Sequence, residues 1–307
     1  MRLLSYDTGN GPRCGVIQGD EIVDVSALVG TSGHPLRDVR ALLEQGNNPI
    51  ERVSEALAKD TSAPRVPLAG TQLRSPVIQP PTVRDFIVYE EHASNQGTRE
   101  PNEAWYRMPV FYFSNPLCIY GPDAQIPHPS ASSQFDYELE IGCVIGKEGS
   151  NVAAADALDY IAGFTLFNDW SSRDLQVDEM AFGLGPAKGK DTASSIGPWL
   201  VTTDEIPDPS KLTLRTYLND DVVQESGTDD LIFDVPTLIA FLSGSTTLLP
   251  GTLILTGTPS GVGSAQDPRR FLMSGDEVTV EIEGIGKLTN FVVEEALTDE
   301  DYEKEKN

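Results

Sequence analysis

The sequence predicts a mainly β (α+β) protein with a small N-terminal α/β module. Two observations predict this class. From residue 82 onward, strand-like apolar runs alternate with turns, as in YELEIGCVIG, GTLILTG and DEVTVEIEG. Helical segments are short and few (ALDYIAG, SSRDLQVDEM and DVPTLIAFLSG), and strands do not alternate regularly with long helices, which argues against a doubly wound parallel sheet.

Residues 1–75 are predicted to form the small N-terminal domain, and residues 76–307 the larger one. RLLSYDTG and RCGVIQGDEIVDV indicate strands separated by a GNGP turn. Two short helices follow; in the second, Pro49 fits the first helical position, and Ile50, Val53 and Leu57 recur along one face. The Pro-rich segment APRVPLAGTQLRSPVIQPP then leads into the larger domain.

Composition narrows the class of partner. The net charge of −25 argues against a nucleic-acid or anionic-membrane partner. No apolar run approaches the roughly 20 residues of a membrane span. The N-terminus lacks the apolar stretch of a signal peptide, and the three cysteines are scattered, so a cytoplasmic protein is expected. An anionic substrate would require this chain to concentrate its few cations, or a metal, at one site.

The first chemical signal is the segment FDYELEI at residues 135–141. Side chains alternate along a strand, so Glu138 and Glu140 point the same way. Two like charges leading into the apolar run IGCVIG resist burial, and a bound divalent cation would resolve the conflict. The alternative is a solvent-facing strand with ordinary polar residues.

A second signal lies in GFTLFNDWSSRDLQ and GLGPAKGKD. Asp169 ends an apolar strand, and Arg173 and Gln176 follow three residues apart. With Lys188 and Lys190, Arg173 forms a local basic cluster in a strongly acidic chain. The glycine-rich loop lacks the GxxxxGK[ST] pattern of a phosphate-binding loop. The alternatives are an N-capping aspartate, an exposed helical turn and surface lysines.

The third signal is His92, in RDFIVYEEHASNQGTREP. It is one of only three histidines, and it precedes a polar, Gly-containing segment that is able to fold as a lid. The alternative is a polar surface histidine. Each of these signals is weak alone.

Together, the motifs across residues 82–291 resemble the fumarylacetoacetate hydrolase family. The matching segments are DF…EHASNQG, PVFYF, DYELE…VIG, AGFTLFNDWSSRDLQ, GPAKGKD, LLPGTLILTGTPSGVG and GDEVTVEIEGIGKLTN. The resemblance implies a mixed β-roll or sandwich with a small N-terminal domain, and a homodimer.

The resemblance also implies a role for individual residues. Magnesium is the expected ion, with manganese or calcium as alternatives for an oxygen-rich site. His92 matches a water-activating base, and Lys190 and Gln176 match a pair that stabilises or protonates an enolate. The implied metal ligands are Asp85, Glu138, Glu140 and Asp169, and the implied substrate contacts are Tyr112, Arg173 and Thr258.

Two departures from the family pattern concern the partner of His92. Some members have a glutamate three residues after the histidine, and this chain has Asn95 there. Other members have a glutamate downstream of the Thr258 turn, and the corresponding segment here, GVGSAQDPRRF, contains no glutamate and only one acidic residue, Asp267. The possible substitutes are Glu90, Glu91, Glu100 and Glu103. Met180 stands where a tyrosine helps bind fumarylacetoacetate, which argues against that particular substrate.

The resemblance implies a divalent-metal-dependent hydrolase that cleaves a C–C bond in an acylpyruvate or fumarylacetoacetate-like oxo-acid, as in aromatic-compound breakdown. His92 would activate water, and the metal and Lys190 would stabilise the enolate. An alternative is an isomerase or decarboxylase acting on a hydroxy-dienedioate or oxaloacetate-like oxo-acid through the same enolate. A third reading is a non-catalytic paralogue that binds metal or oxo-acid.

Overall fold

The structure of the protein is a computed structural model that describes residues 1–31, 33–59, 62–94, 100–206 and 208–296. The strands in these ranges are β1 (Arg2–Asp7), β2 (Pro12–Gln18), β3 (Glu21–Asp24), β4 (Arg65–Pro67), β5 (Leu73–Arg74), β6 (Val83–Phe86), β7 (Phe111–Ser114), β8 (Ile119–Tyr120), β9 (Gln125–His128), β10 (Phe135–Asp136), β11 (Leu139–Ile145), β12 (Gly149–Ser150), β13 (Ile161–Asp169), β14 (Ser171–Ser172), β15 (Ser194–Thr202), β16 (Thr213–Leu218), β17 (Asp221–Gly227), β18 (Thr247–Leu248), β19 (Leu253–Leu255), β20 (Glu277–Ile282) and β21 (Gly286–Glu294).

The helices in the same ranges are short, as the sequence predicts. They are α1 (Val25–Val29), α2 (Val39–Leu43), α3 (Pro49–Lys59), α4 (Glu90–Ala93), α5 (Glu103–Arg107), α6 (Arg173–Phe182) and α7 (Val235–Ser243). The predicted helical segment ALDYIAG is split: its first residues lie in a 3₁₀-helix, Ala154–Tyr160, and its last three begin β13, where Ile161 pairs with Ile145. No helix in the described ranges combines the length and apolar character needed to cross a membrane.

Two mixed sheets carry the fold. Within the described ranges, the larger sheet has the strand order β4-β3-β2-β1-β15-β13-β11-β19-β6-β7, with β5 beside β1 and β8 beside β15. The smaller sheet has the order β17-β16-β20-β21-β9. Most pairs are antiparallel, but β6 runs parallel to β19, β8 to β15 and β9 to β21. The predicted mainly β, mixed-sheet class is confirmed.

The main core lies between these sheets. Ile141 and Phe164 of the larger sheet belong to the same buried cluster as Leu214 and Val280 of the smaller one, together with Leu238 of α7. Alternating burial along β16 and β20 fits strands that present one face to this core.

The N-terminal segment extends the larger sheet. Strand β1 pairs with β15, with Leu3 opposite Leu200, and Leu3 shares a second buried cluster with Phe167 and Leu255. The first 75 residues therefore share both a sheet and a core with the following chain. A domain boundary at residue 75 stays a prediction.

Strands β13, β11, β19, β6 and β7 lie side by side, and this order places the polar residues of distant motifs at one location. Asp85 in β6 is opposite Leu255 in β19 and Tyr112 in β7. Glu140 in β11 is opposite Phe167 in β13, two residues before Asp169.

The close approach of β13 to β15 generates a stability prediction. A Cβ atom on Gly163 would lie 2.2 Å from the carbonyl oxygen of Val201, a backbone atom that cannot move aside. A Cβ atom on Gly142, in the neighbouring strand, would meet the side-chain methyl of Thr165 at 3.1 Å. We expect Gly163→Ala to lower the free energy of unfolding by about 1–3 kcal/mol, and Gly142→Ala, the matched control, to cost less. Urea denaturation measures both; equal losses would contradict the steric argument.

Candidate active site

One cavity of about 230 Å³ is lined by most of the polar residues that the sequence analysis selected. Nine of the ten predicted site residues line it, and the tenth, Asp169, lies directly beside Asp85 and Glu140. A larger groove of about 620 Å³ near Met1 and Pro49 contains none of the ten. Apolar side chains complete the cavity wall: Phe86, Ile87, Val110, Phe111, Met180 and Pro186.

Three carboxylates form a cluster with the dimensions of a metal site. Asp85, Glu140 and Asp169 each offer an oxygen within 4.8 Å of the others, and all three are buried. Burial raises the pKa of each, and the neighbouring carboxylates raise those of Asp85 and Glu140 further. Asp169 Oδ1 is buried without a hydrogen-bond partner among the described residues. A hard divalent cation fits this set, because it would satisfy that oxygen and offset the like charges.

A backbone turn fixes Glu140. The Gly257 N–H donates to Glu140 Oε2 at 3.0 Å. Gly257 has a φ of +80°, and a Cβ atom there would lie 2.3 Å from the carbonyl oxygen of Phe86. Glycine is therefore required where LTGTPSG approaches β6. The sequence analysis selected only Thr258 from this turn, and the structure adds that Gly257 orients a candidate metal ligand.

Glu138 is beside the three-carboxylate cluster but not part of it, and it pairs with cations. Its Oε1 is 2.6 Å from Arg173 Nη1, and its Oε2 is 2.6 Å from Lys190 Nζ. Burial alone would raise the pKa of Glu138, but the charges of Arg173 and Lys190 lower it below its usual range. A metal-binding role for Glu138 stays a prediction.

Lys190 connects Glu138 to the cluster. Its buried ammonium contacts Glu138 and Asp169, and these two charges outweigh desolvation and raise its pKa above the usual value. The 3₁₀ turn Lys188–Lys190 is held by Glu179, whose carboxylate accepts from the N–H of Ala187 at 2.9 Å. Lys188 points away and pairs with Asp191 at 2.9 Å, so only Lys190 of the predicted lysine pair reaches the cavity.

His92 is a neutral base at ordinary pH. Burial lowers its pKa to about 4, and the nearby charge of Glu138 only partly opposes this. The Nε2 atom lies 3.6 Å from Glu138 Oε1. Among the described residues, Glu138 is thus the carboxylate that faces His92.

The glutamates proposed as partners of His92 have other contacts. Glu90 accepts from the Tyr106 hydroxyl at 2.5 Å, and Glu91 accepts from the Ser260 hydroxyl at 2.7 Å. Glu103 pairs with Arg107. Glu100 and Asp267 are exposed and do not line the cavity, and Asn95 lies outside the described residues.

The side chains predicted to contact substrate differ in which hydrogen-bond donors they have left for a ligand. Tyr112 donates to Asp85 at 2.9 Å and also contacts Asp169, so it is engaged with the carboxylates. Thr258 Oγ1 accepts from Gln224 Nε2 at 3.0 Å, which leaves the threonine proton to be donated into the cavity. Gln176 accepts from Arg173 Nη1 at 3.3 Å, which leaves its amide donors available.

Sequence reasoning missed two buried residues that hold this site. Gln224 supports Thr258, and Asp136 binds Arg173 at 2.8 Å. A signal for Asp136 was present, because it precedes Glu138 by two residues in FDYELE, as Glu138 precedes Glu140. Nothing in the sequence near Gln224, on a hairpin of the other sheet, indicates its role.

Comparison with known proteins places the chain in a family. Residues 82–293 match the fumarylacetoacetate (FAA) hydrolase C-terminal family, and the chain belongs to this family. A mitochondrial oxaloacetate tautomerase of Bos taurus, FAHD2A, is 35% identical over 95% of this chain and 92% of its own length.

Solved structures share the fold. Maleylpyruvate hydrolase from Sphingobium sp. SYK-6, in complex with manganese(II) ion and pyruvate, is 29% identical, with a TM-score of 0.77 over 96% of this chain and all of that one. The 2-hydroxyhepta-2,4-diene-1,7-dioate isomerase from Mycobacterium marinum is 31% identical, with a TM-score of 0.72 over 97% of this chain and all of that one. The solved structures similar to this chain therefore include both a hydrolase and an isomerase.

The carboxylate cluster generates a binding prediction. We expect Glu140→Gln to weaken Mn²⁺ binding about 100-fold or more, since losing a direct ligand costs at least as much as losing a group that orients one. Isothermal titration calorimetry measures this affinity. The control is Asp267→Asn, which removes an exposed acid outside the cavity and should bind Mn²⁺ as the wild type does. Equal affinity in Glu140→Gln and wild type would contradict the site.

Proposed function

We propose that this protein is a divalent-metal-dependent tautomerase of a small 2-oxo acid of the oxaloacetate type. The observation that carries the proposal is the pairing of a buried carboxylate cluster with the buried ammonium of Lys190 on one small cavity. This arrangement suits a reaction that builds negative charge on the oxygen of an oxo-acid. The Bos taurus relative named as an oxaloacetate tautomerase supports the substrate class.

The cavity favours a small anion. Its volume of about 230 Å³ is below the about 300–1,000 Å³ typical of sites for drug-sized ligands. Arg173 and Lys190 supply positive charge beside the carboxylates of the cavity, in a chain whose net charge is −25. Size therefore favours a small oxo-acid, and a divalent cation on the carboxylate cluster, together with Arg173 and Lys190, would supply the positive charge that an anionic one requires.

Asp85, Glu140 and Asp169 are the residues that would hold the ion, with Glu138 beside them. Magnesium is the ion we propose, and the manganese in the Sphingobium hydrolase supports a divalent cation in general. A divalent ion in this position supplies Lewis-acid polarisation of a 2-oxo carboxylate when bound.

Tautomerisation takes one proton from C3 and places one on the 2-oxygen, or the reverse, so it consumes neither water nor a co-reactant. Lys190 has a raised pKa and is protonated before the reaction. Its ammonium donates a proton to one of the two atoms, and the amine so formed accepts the proton that the other releases, which restores the ammonium. While charged, the ammonium offsets the charge that develops on the 2-oxygen. Arg173 and Thr258 offer donors to the substrate carboxylate. Burial excludes bulk water and strengthens each of these interactions.

C–C bond hydrolysis of an acylpyruvate-like substrate is the second candidate. The observation that favours it is His92, a neutral base on the cavity wall that is suited to activating water. The Sphingobium maleylpyruvate hydrolase supports the same reaction class. We rank it second because relatives matching nearly the whole chain carry tautomerase names. The homodimer and the cytoplasmic location stay predictions.

A variant pair separates the two reactions. We expect Lys190→Met to slow oxaloacetate tautomerisation about 10²–10³-fold, the usual cost of removing one donor to a developing oxyanion. His92→Ala should slow the same reaction by far less than about 100-fold, the smallest loss of rate expected when a general base is removed. The ultraviolet absorbance of the enol follows the reaction, with magnesium present. Retained activity in Lys190→Met would contradict the tautomerase mechanism.

The same variants are then assayed for release of pyruvate from maleylpyruvate. Hydrolysis by the wild type that is lost in His92→Ala, without tautomerisation of oxaloacetate, would establish the second candidate instead.

A further inference from the structure

We infer that Asp136 is a positioning residue that aims the guanidinium of Arg173 at the carboxylate of the substrate. The inference rests on the proposed function, because it deals with how the same cavity recognises a 2-oxo acid. Asp136 does not line the cavity and acts only through Arg173.

The carboxylate of Asp136 is completely buried and bound by N–H groups on every side. Its Oδ1 accepts from the N–H of Gly263 at 2.8 Å and of Tyr137 at 3.0 Å. Its Oδ2 accepts from the N–H of Ser264 at 3.0 Å and from Arg173 Nε at 2.8 Å. Three of the four donors belong to the backbone, so the carboxylate is held rigidly before it meets Arg173.

The donors of Arg173 are divided among three directions. Its Nε faces Asp136, and its Nη1 faces Glu138 at 2.6 Å and Gln176 at 3.3 Å. Its Nη2 is buried and has no hydrogen-bond partner among the described residues, although the side chain lines the cavity. A buried guanidinium nitrogen without an acceptor is costly, and a substrate carboxylate is the acceptor that the site lacks.

Because the guanidinium is planar, the contacts of two of its nitrogens determine where the third one points. Fixing Nε and Nη1 fixes the plane and rotation of the group, and therefore the direction of Nη2. Without Asp136, Arg173 would keep its charge and its contact with Glu138 but would be free to rotate about that contact. The expected loss is in binding of the carboxylate and not in the chemical step.

Asp136→Asn tests this directly because both oxygens of Asp136 act only as acceptors. An amide NH₂ at either position would oppose two N–H donors, and in either orientation Arg173 loses the carboxylate charge that holds its Nε. We expect pyruvate binding in the presence of Mg²⁺ to weaken about tenfold, measured by calorimetry. The KM for oxaloacetate should rise by about the same factor, with kcat nearly unchanged.

Two controls separate positioning from general stability. Asp174→Asn removes a neighbouring carboxylate that bonds Ser132 and Ser133 but not Arg173, and it should leave pyruvate binding unchanged. In a double-mutant cycle, Asp136→Asn should add little to Arg173→Lys, because the lysine has no Nε to orient. Additive losses in the cycle, unchanged binding in Asp136→Asn, or a wild type that binds no pyruvate would each overturn the inference.

Should Asp136→Asn fail to fold, the native protein supplies a second test. With arginine labelled by ¹⁵N, the Nε–H signal that disappears in Arg173→Lys is expected to exchange slowly with water; rapid exchange would overturn the inference. If the proposed function is wrong but the inference is right, the same measurements give a different result. Pyruvate binding that depends on Asp136, in a protein that does not tautomerise oxaloacetate, would sustain the inference and contradict only the tautomerase.

Discussion

The site depends on the burial of several carboxylates that cannot all remain charged without compensation. Removing a carboxylate from water costs several kcal/mol unless a cation or hydrogen bonds replace the solvent. Here Asp85, Glu140 and Asp169 are buried within reach of one another. Lys190 compensates only part of this charge, through Asp169. A divalent cation would complete the compensation; without one, the raised pKa values of Asp85 and Glu140 favour their protonated forms.

The fold brings these carboxylates together by placing distant segments of the chain in nearby strands of one sheet. Strand β6 brings Asp85, β11 brings Glu140 and β13 brings Asp169, and the order of the larger sheet makes these strands neighbours or near neighbours. Glycine and backbone amides complete the frame: Gly257 orients Glu140, and the N–H groups of Gly263 and Ser264 hold Asp136. Rigidity of this kind suits a site whose catalytic effect depends on pre-oriented charges.

The sequence predicted the fold class well because strand periodicity and short helices are local properties. FDYELEI and GFTLFND are strand-like in isolation. GFTLFND lies within β13, whereas FDYELEI is divided between β10 and β11, with Tyr137 and Glu138 outside both strands. The clustering of Asp85 with Glu140 followed from family resemblance and not from spacing, because it depends on the parallel pairing of β6 with β19. Long-range pairing of this kind leaves no local signal.

Side-chain partners were the least predictable feature. The sequence left the partner of His92 among four glutamates, whereas the structure brings Glu138 within 3.6 Å and gives Glu90 and Glu91 other contacts. Lys188 and Lys190 looked equivalent in GPAKGKD, and the turn that separates them is set by the carboxylate of Glu179. The sequence did not indicate a role for Gln224, because this residue contacts Thr258 from a strand of the other sheet.

Anomalous diffraction from crystals grown with Mn²⁺ would locate the compensating cation itself. The structure predicts a peak bounded by oxygens of Asp85, Glu140 and Asp169, with Lys190 Nζ displaced from Asp169. Crystals soaked in ample Mn²⁺ that show no peak among these carboxylates, or a peak only elsewhere on the acidic surface, would contradict the account of the site.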